Sequence, residues 1–150
     1  MRGDDAAGVL IIRRLMEPAQ PNPPNSRIQS KHSNSAREEP LFFEAGPLPE
    51  AATGALRRFR PDWAIFIDSA DMGAKPGTVR WLEPRELEEF SANTHAFPLG
   101  GLSEYFSAEF GCRVAVLGIQ PYNLEIDSPV SEEVKRAIEE ILSAITSEFK

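Results

Sequence analysis

The chain has 150 residues, 41% of them hydrophobic and 26% charged, which is enough for a single domain with its own core. A net charge of -7 argues against non-specific binding to nucleic acid. The single cysteine, Cys112, excludes an intrachain disulfide and a cysteine-rich zinc site, and no apolar run approaches the roughly 20 residues of a membrane span. The simplest expectation is a cytoplasmic monomer without a membrane partner.

In chain order, residues 6–16 place Val9, Leu10, Ile12, Leu15 and Met16 at helical spacing behind Asp4 and Asp5, where acids favour a helix N-terminus. Residues 17–40 hold five prolines with many Ser and Asn, and read as a flexible surface loop that contains a solvated His32. "LFFEAG" (41–46) reads as a short buried strand. "PEAATGALRRF" (49–59) reads as a helix beginning at Pro49. The run from Trp63 to Ile67 suits a strand covered on both faces, and it ends in Asp68. "PGTVRWLEP" (76–84) predicts a turn and a strand, and "PRELEEF" (84–90) a short helix. "PLGGLSEYFSAEFG" (98–111) predicts a helix stopped by Gly111, and "CRVAVLGIQP" (112–121) a second buried strand. Cys112 belongs to that core, since nothing nearby would lower its pKa. The last helix, within 128–149, should be capped at Ser131 and bury Val134, Ala137, Ile138, Ile141, Leu142 and Ile145.

Strands and helices alternate, so the expected fold is α/β: a three-layer αβα domain, phosphorylase/hydrolase-like, with a twisted, mainly parallel sheet over residues 1–150. Sites in such sheets lie beyond the C-terminal ends of the strands. Asp68 and Gln120 end two strands there, Glu44 ends "LFFE", Asp5 opens the first helix, and His95 lies in a loop before another helix. Two carboxylates and an imidazole make an open site for a divalent transition metal. Each residue also has a plain structural reading: Asp5 as a helix cap, Asp68 as a partner of loop amides, His95 as a packed histidine. No GxSxG elbow or GxxxxGK[ST] loop is present.

"RGDDAAG", "FIDSADMGAKPGTVR", "NTHAFPLGGLSEYF" and "VLGIQPYNLEI" occur in this order, and the chain resembles the hydrogenase maturation proteases. The resemblance is strongest to the branch that matures hydrogenase 3-type and coenzyme F420-reducing enzymes. It implies an endopeptidase that removes a C-terminal extension from the precursor of a [NiFe]-hydrogenase large subunit. Nickel supplied by that substrate is the recognition signal, and no organic cofactor is implied. It implies Asp5, Asp68 and His95 as the metal contacts, with Glu44 and Gln120 toward the substrate. Asp5 or Asp68 would activate a water, or the metal would polarise the carbonyl. Glu44 stands where relatives carry the Asp of a D-x-G-T stretch, and Pro47 replaces a hydroxyl residue. Relatives also begin with a strand and a GxGN turn ahead of the "RGDD" stretch. Their lack here leads us to expect an upstream start or a truncated chain. The alternative function is therefore a degenerate, non-catalytic binder that reads nickel on the precursor. A metallopeptidase of broader specificity is a third class.

Overall fold

The computed structural model describes residues 3–17, 40–45, 49–83, 86, 99–125 and 127–148. Among these, a 3-10 turn over Gly3–Ala6 leads into α1 (Ala7–Met16), and a second over Pro49–Ala52 leads into α2 (Thr53–Phe59). The strands are β1 (Trp63–Ser69), β2 (Val79–Leu82) and β3 (Arg113–Ile119). Helix α3 spans Leu99–Phe110 and α4 spans Glu132–Glu148.

The strand order is β1-β3-β2. β1 runs parallel to β3, with Asp68 opposite Gly118, and β2 runs antiparallel to β3, with Trp81 opposite Leu117. The described residues thus form four helices around a small, open, mixed sheet. This is not the three-layer αβα domain with a mainly parallel sheet that the alternation predicted. The reason is the connection over 70–78, which is shorter than the dozen or so residues a parallel crossover needs. The chain turns across the end of β3 and must return antiparallel. Two local expectations fail as well. Residues 41–45 form no strand, and Leu41 and Phe43 are exposed. β1 is an edge strand of the described sheet with Trp63 and Ile65 half exposed, so it is not covered on both faces. The predicted helix at 84–90 lies almost wholly outside the described residues, as do His32 and nearly all of the 17–40 segment.

Side-chain alternation along the strands feeds two separate apolar clusters. Ile67, Val79, Leu117 and Ile119 pack with Ala7 and Ile11 of α1 and with Val134, Ala137, Ile138, Ile141 and Leu142 of α4. Ala64, Phe66, Leu82, Val114 and Val116 pack with Leu102 and Phe106 of α3 and with buried Cys112. The rings of Phe66 and Phe106 stack with centroids 5.8 Å apart. The predicted face of the last helix and the core role of Cys112 are present, but α1 buries Ala7, Gly8 and Ile11, and of the predicted Val9, Leu10, Ile12, Leu15 and Met16 it is Leu10 and Leu15 that pack against the core while Met16 is exposed. Burial raises the Cys112 thiol pKa, as expected for an inert core cysteine. Ser131 caps α4 by accepting from the Val134 amide at 3.3 Å.

Candidate functional site

Two close approaches fix the start of α1, one against residues 123–128 beyond β3 and one at the C-terminal end of β1. Gly3 adopts φ +50°, a left-handed conformation, with its α-carbon against the carbonyls of Asn123 and Glu125 and the hydroxyl of Ser128. Gly8, in the first turn of α1, lies so near the Ile67 carbonyl that a Cβ would overlap it. A helix start pressed this closely on a strand end sets Asp5 beside Asp68.

The contacts bear this out. Ser69 Oγ donates to Asp5 Oδ1 at 3.2 Å, and the Ser69 amide donates to Asp68 Oδ1 at 2.8 Å. Ser69 therefore bridges the two carboxylates. Burial drives the Asp68 pKa up to about 6; the Ser69 amide opposes this, and the nearby Asp5 charge adds to it. A carboxyl group with a pKa in this range is suited to general acid or base work near neutral pH. Two adjacent carboxylates also present concentrated negative charge to a cation or a polarised water. Among the described residues no group of three His, Cys, Asp and Glu side chains could hold a metal by itself. His95, the third residue of the predicted set, lies outside the described residues.

Gln120 ends β3 at the same rim and is buried. Its Oε1 accepts from the amides of Met72 at 2.7 Å and Ala74 at 3.2 Å. Its Nε2 donates to Asp71 Oδ1 at 3.1 Å and to the Pro121 carbonyl at 3.3 Å. All four hydrogen-bonding positions of the amide are thereby engaged, and the 71–74 loop is fixed beside Asp68. Glu44 sits elsewhere. Its carboxylate receives Arg13 Nε at 2.8 Å and Nη2 at 2.7 Å, and this hydrogen-bonded pairing holds its pKa low. Arg13 is eight residues beyond Asp5, about 12 Å further along the helical rise, so the structure does not place Glu44 in the acid pair.

The neighbour of Asp5 carries a feature that spacing could not reveal. Asp4 is 1% exposed and collects four hydrogen bonds. Its Oδ2 accepts from the amides of Tyr122 at 2.7 Å and Asn123 at 3.0 Å and from Ser131 Oγ at 2.9 Å, while Oδ1 accepts from the Ser131 amide at 2.7 Å. Burial alone would raise its pKa, but these donors outweigh that effect and lower it. A "DD" pair just before a helix is the signal. Successive residues of a turn point about 100–120° apart, so one acid can be buried while the other faces the rim.

A helix start delivering one carboxylate to another, at the rim of a sheet where a strand ends, is the candidate active site of an enzyme. The comparisons narrow the class. A family model described as HycI, hydrogenase maturation protease, matches residues 28–148. The hydrogenase 3 maturation protease of Escherichia coli K12 is 29% identical over 142 residues, covering 94% of this chain and 80% of its own. The solution structure of the endopeptidase HycI from Escherichia coli superposes with a TM-score of 0.76 at 27% identity, covering 98% of this chain and 83% of the other. A crystal structure of a [NiFe] hydrogenase maturation protease HycI from Thermococcus kodakarensis KOD1 superposes with a TM-score of 0.75 at 27% identity, covering 97% and 83%. The chain belongs to the hydrogenase maturation protease family, and its activity is that of an endopeptidase in hydrogenase large-subunit maturation. Among the described residues no helix is long and apolar enough to cross a membrane.

Proposed function

We propose that the chain cuts the C-terminal extension from the nickel-loaded large-subunit precursor of a hydrogenase 3-type or coenzyme F420-reducing enzyme, using Asp5 and Asp68 at the cut. The observation that carries this reading is the convergence of Asp5 and Asp68 on Ser69. Nickel is substrate here, held by the precursor's own ligands. Asp5, Asp68 and His95 complete its coordination from the protease side. Three such ligands bind a free divalent ion only moderately, so tight docking needs both partners and cutting follows correct loading. Asp5 or Asp68 takes the proton of the attacking water on a carboxylate oxygen that does not face the nickel. Gln120 acts on the substrate through the 71–74 loop that it braces, and Glu44 contacts the precursor outside the acid pair. The enzyme acts in the cytoplasm as a monomer.

The test is incubation of the protein with a nickel-loaded precursor, followed by electrophoresis and mass spectrometry. Shortening of the precursor is expected for the native chain and is lost in Asp5→Asn and His95→Ala. Complex formation without any shortening would replace the endopeptidase reading with that of a non-catalytic binder.

A further inference from the structure

We propose that Asp4 is the positioning residue of the acid pair, a buried carboxylate that holds Asp5 and the Tyr122–Asn123 loop in one rigid frame. The inference rests on the proposed role of Asp5.

Asp4 is the only acid among the fully buried side chains of the described residues. Its contacts reach 118 to 127 residues along the chain, so they report tertiary structure and not local capping. Its main chain is held too, since the Asp4 amide donates to the Asn123 carbonyl at 3.1 Å. Residue 4 is thereby gripped by both backbone and side chain. Asp5 is the next residue in the same 3-10 turn, and it cannot shift without displacing this grip. Gly8 closes the frame on the other side, against Ile67.

The frame has a second consequence. Tyr122 and Leu124 are exposed, at 70% and 40%, on the loop whose amides Asp4 fixes. The same carboxylate thus ties the loop that carries these two exposed side chains to the turn that carries Asp5. Ser131 completes the hub. Its amide and hydroxyl both donate to Asp4, while its oxygen accepts from Val134 at the start of α4. The longest of the described helices is therefore keyed to the carboxylate beside Asp5.

Asp4→Asn replaces one oxygen by an NH2 group facing donors and so breaks one side of the frame while nearly keeping its volume. Ser131→Ala removes the hydroxyl's hydrogen bond to Asp4 and its cap on the Val134 amide, and Ser131→Thr retains the hydroxyl. Processing of the nickel-loaded precursor would be measured at saturating and limiting precursor, at a temperature where circular dichroism shows each variant folded. Asp4→Asn should lower kcat by about ten- to a hundredfold with KM within twofold, the scale expected for misplacing a reacting group by an ångström or less. Ser131→Ala should lower kcat a few-fold, and Ser131→Thr should restore it. In the NMR spectrum of folded Asp4→Asn, the Ser69 amide should move although Asp4 does not touch it. Native kcat in folded Asp4→Asn, or in folded Ser131→Ala should Asp4→Asn not fold, overturns the proposal. So does a loss of kcat in Ser131→Ala that Ser131→Thr fails to restore. Native processing by Asp5→Asn would remove the role of Asp5 itself, which is a different failure.

Discussion

Ser69 donates its hydroxyl to Asp5 across 64 residues of chain and its amide to the preceding residue, Asp68. One serine therefore reads out whether the helix start and the strand end are in register. In Ser69→Ala the hydroxyl link to Asp5 is lost and the amide link to Asp68 is kept. Processing of the precursor should fall roughly tenfold, with the thermal midpoint little changed, because the lost bond is part-buried and single. A Ser69→Ala variant with native kcat would show that the bridge is incidental.

Asp68 separates stability from activity by sign. Its folded pKa, about 6, lies above the ordinary value of 3.8, so the folded state holds the proton more tightly than the unfolded one. The stabilising balance is fully present below the ordinary value and is lost as pH rises through about 6. At pH 7–8 the ionised Asp68 is thus a liability, worth up to about 3 kcal/mol at roughly 1.4 kcal/mol per pKa unit. Asp68→Asn can still accept from the Ser69 amide. It should be more stable than the native chain at pH 8, equal to it near pH 4, and unable to process precursor. Urea titrations at the two pH values measure this directly, and a variant less stable at pH 8 would contradict the buried-acid argument.

Asp4 has the opposite sign. Its folded pKa lies below the ordinary value, so its contribution is present above that value and is lost as pH falls through the folded pKa. Asp4→Asn should cost about 2–4 kcal/mol at neutral pH, since it leaves buried donors facing an NH2 group. The deficit should shrink in acid, where the native carboxylate protonates. Chemical denaturation at pH 7 and at pH 3 tests both halves, and an equal deficit at the two values would place the effect elsewhere.

These two acids also show what a sequence can and cannot disclose. Periodicity was sufficient for the buried face of α4, because Val134, Ala137, Ile138, Ile141 and Leu142 repeat at helical spacing and the core selects that stripe. The rule that sites gather at strand ends was sufficient to pair Asp5 with Asp68. It could not rank Asp4 against Asp5, since that depends on which direction a turn faces and on donors more than a hundred residues away. Nor could it give the direction of β2, which follows from the short span of 70–78. The apolar doublet Phe42–Phe43 imitates a strand, but it lies outside the sheet, and the next residue, Glu44, is held to the helix by Arg13.

Glu44 and Arg13 form a two-pronged pair on the surface. Exposed pairs are screened by salt and add little to stability. Glu44→Gln should leave the unfolding midpoint unchanged at physiological salt. A rise in KM for the precursor without a change in kcat would place Glu44 in substrate docking. Unchanged kinetics would assign it only to anchoring residues 40–45 on α1.

The glycines supply the sharpest contrast in stability. Gly54 lies within α2 and Gly101 within α3, and a Cβ at either meets open space or only the far end of Arg58. Gly54→Ala and Gly101→Ala should each stabilise the chain by about 0.5–1 kcal/mol through the lower entropy of the unfolded state and better helix propensity. Gly8 is also helical, but its Cβ would collide with the Ile67 carbonyl, a backbone atom that cannot turn aside. Gly8→Ala should therefore reverse the sign, costing about 2 kcal/mol or more as α1 is pushed off β1. It should also abolish processing, because the displacement parts Asp5 from Ser69 and Asp68. Thermal melts of the three variants side by side, with precursor assays at a temperature where all are folded, make the comparison. A Gly8→Ala variant as stable and as active as Gly54→Ala would mean that the close approach of α1 to β1 does not set the geometry of the acid pair.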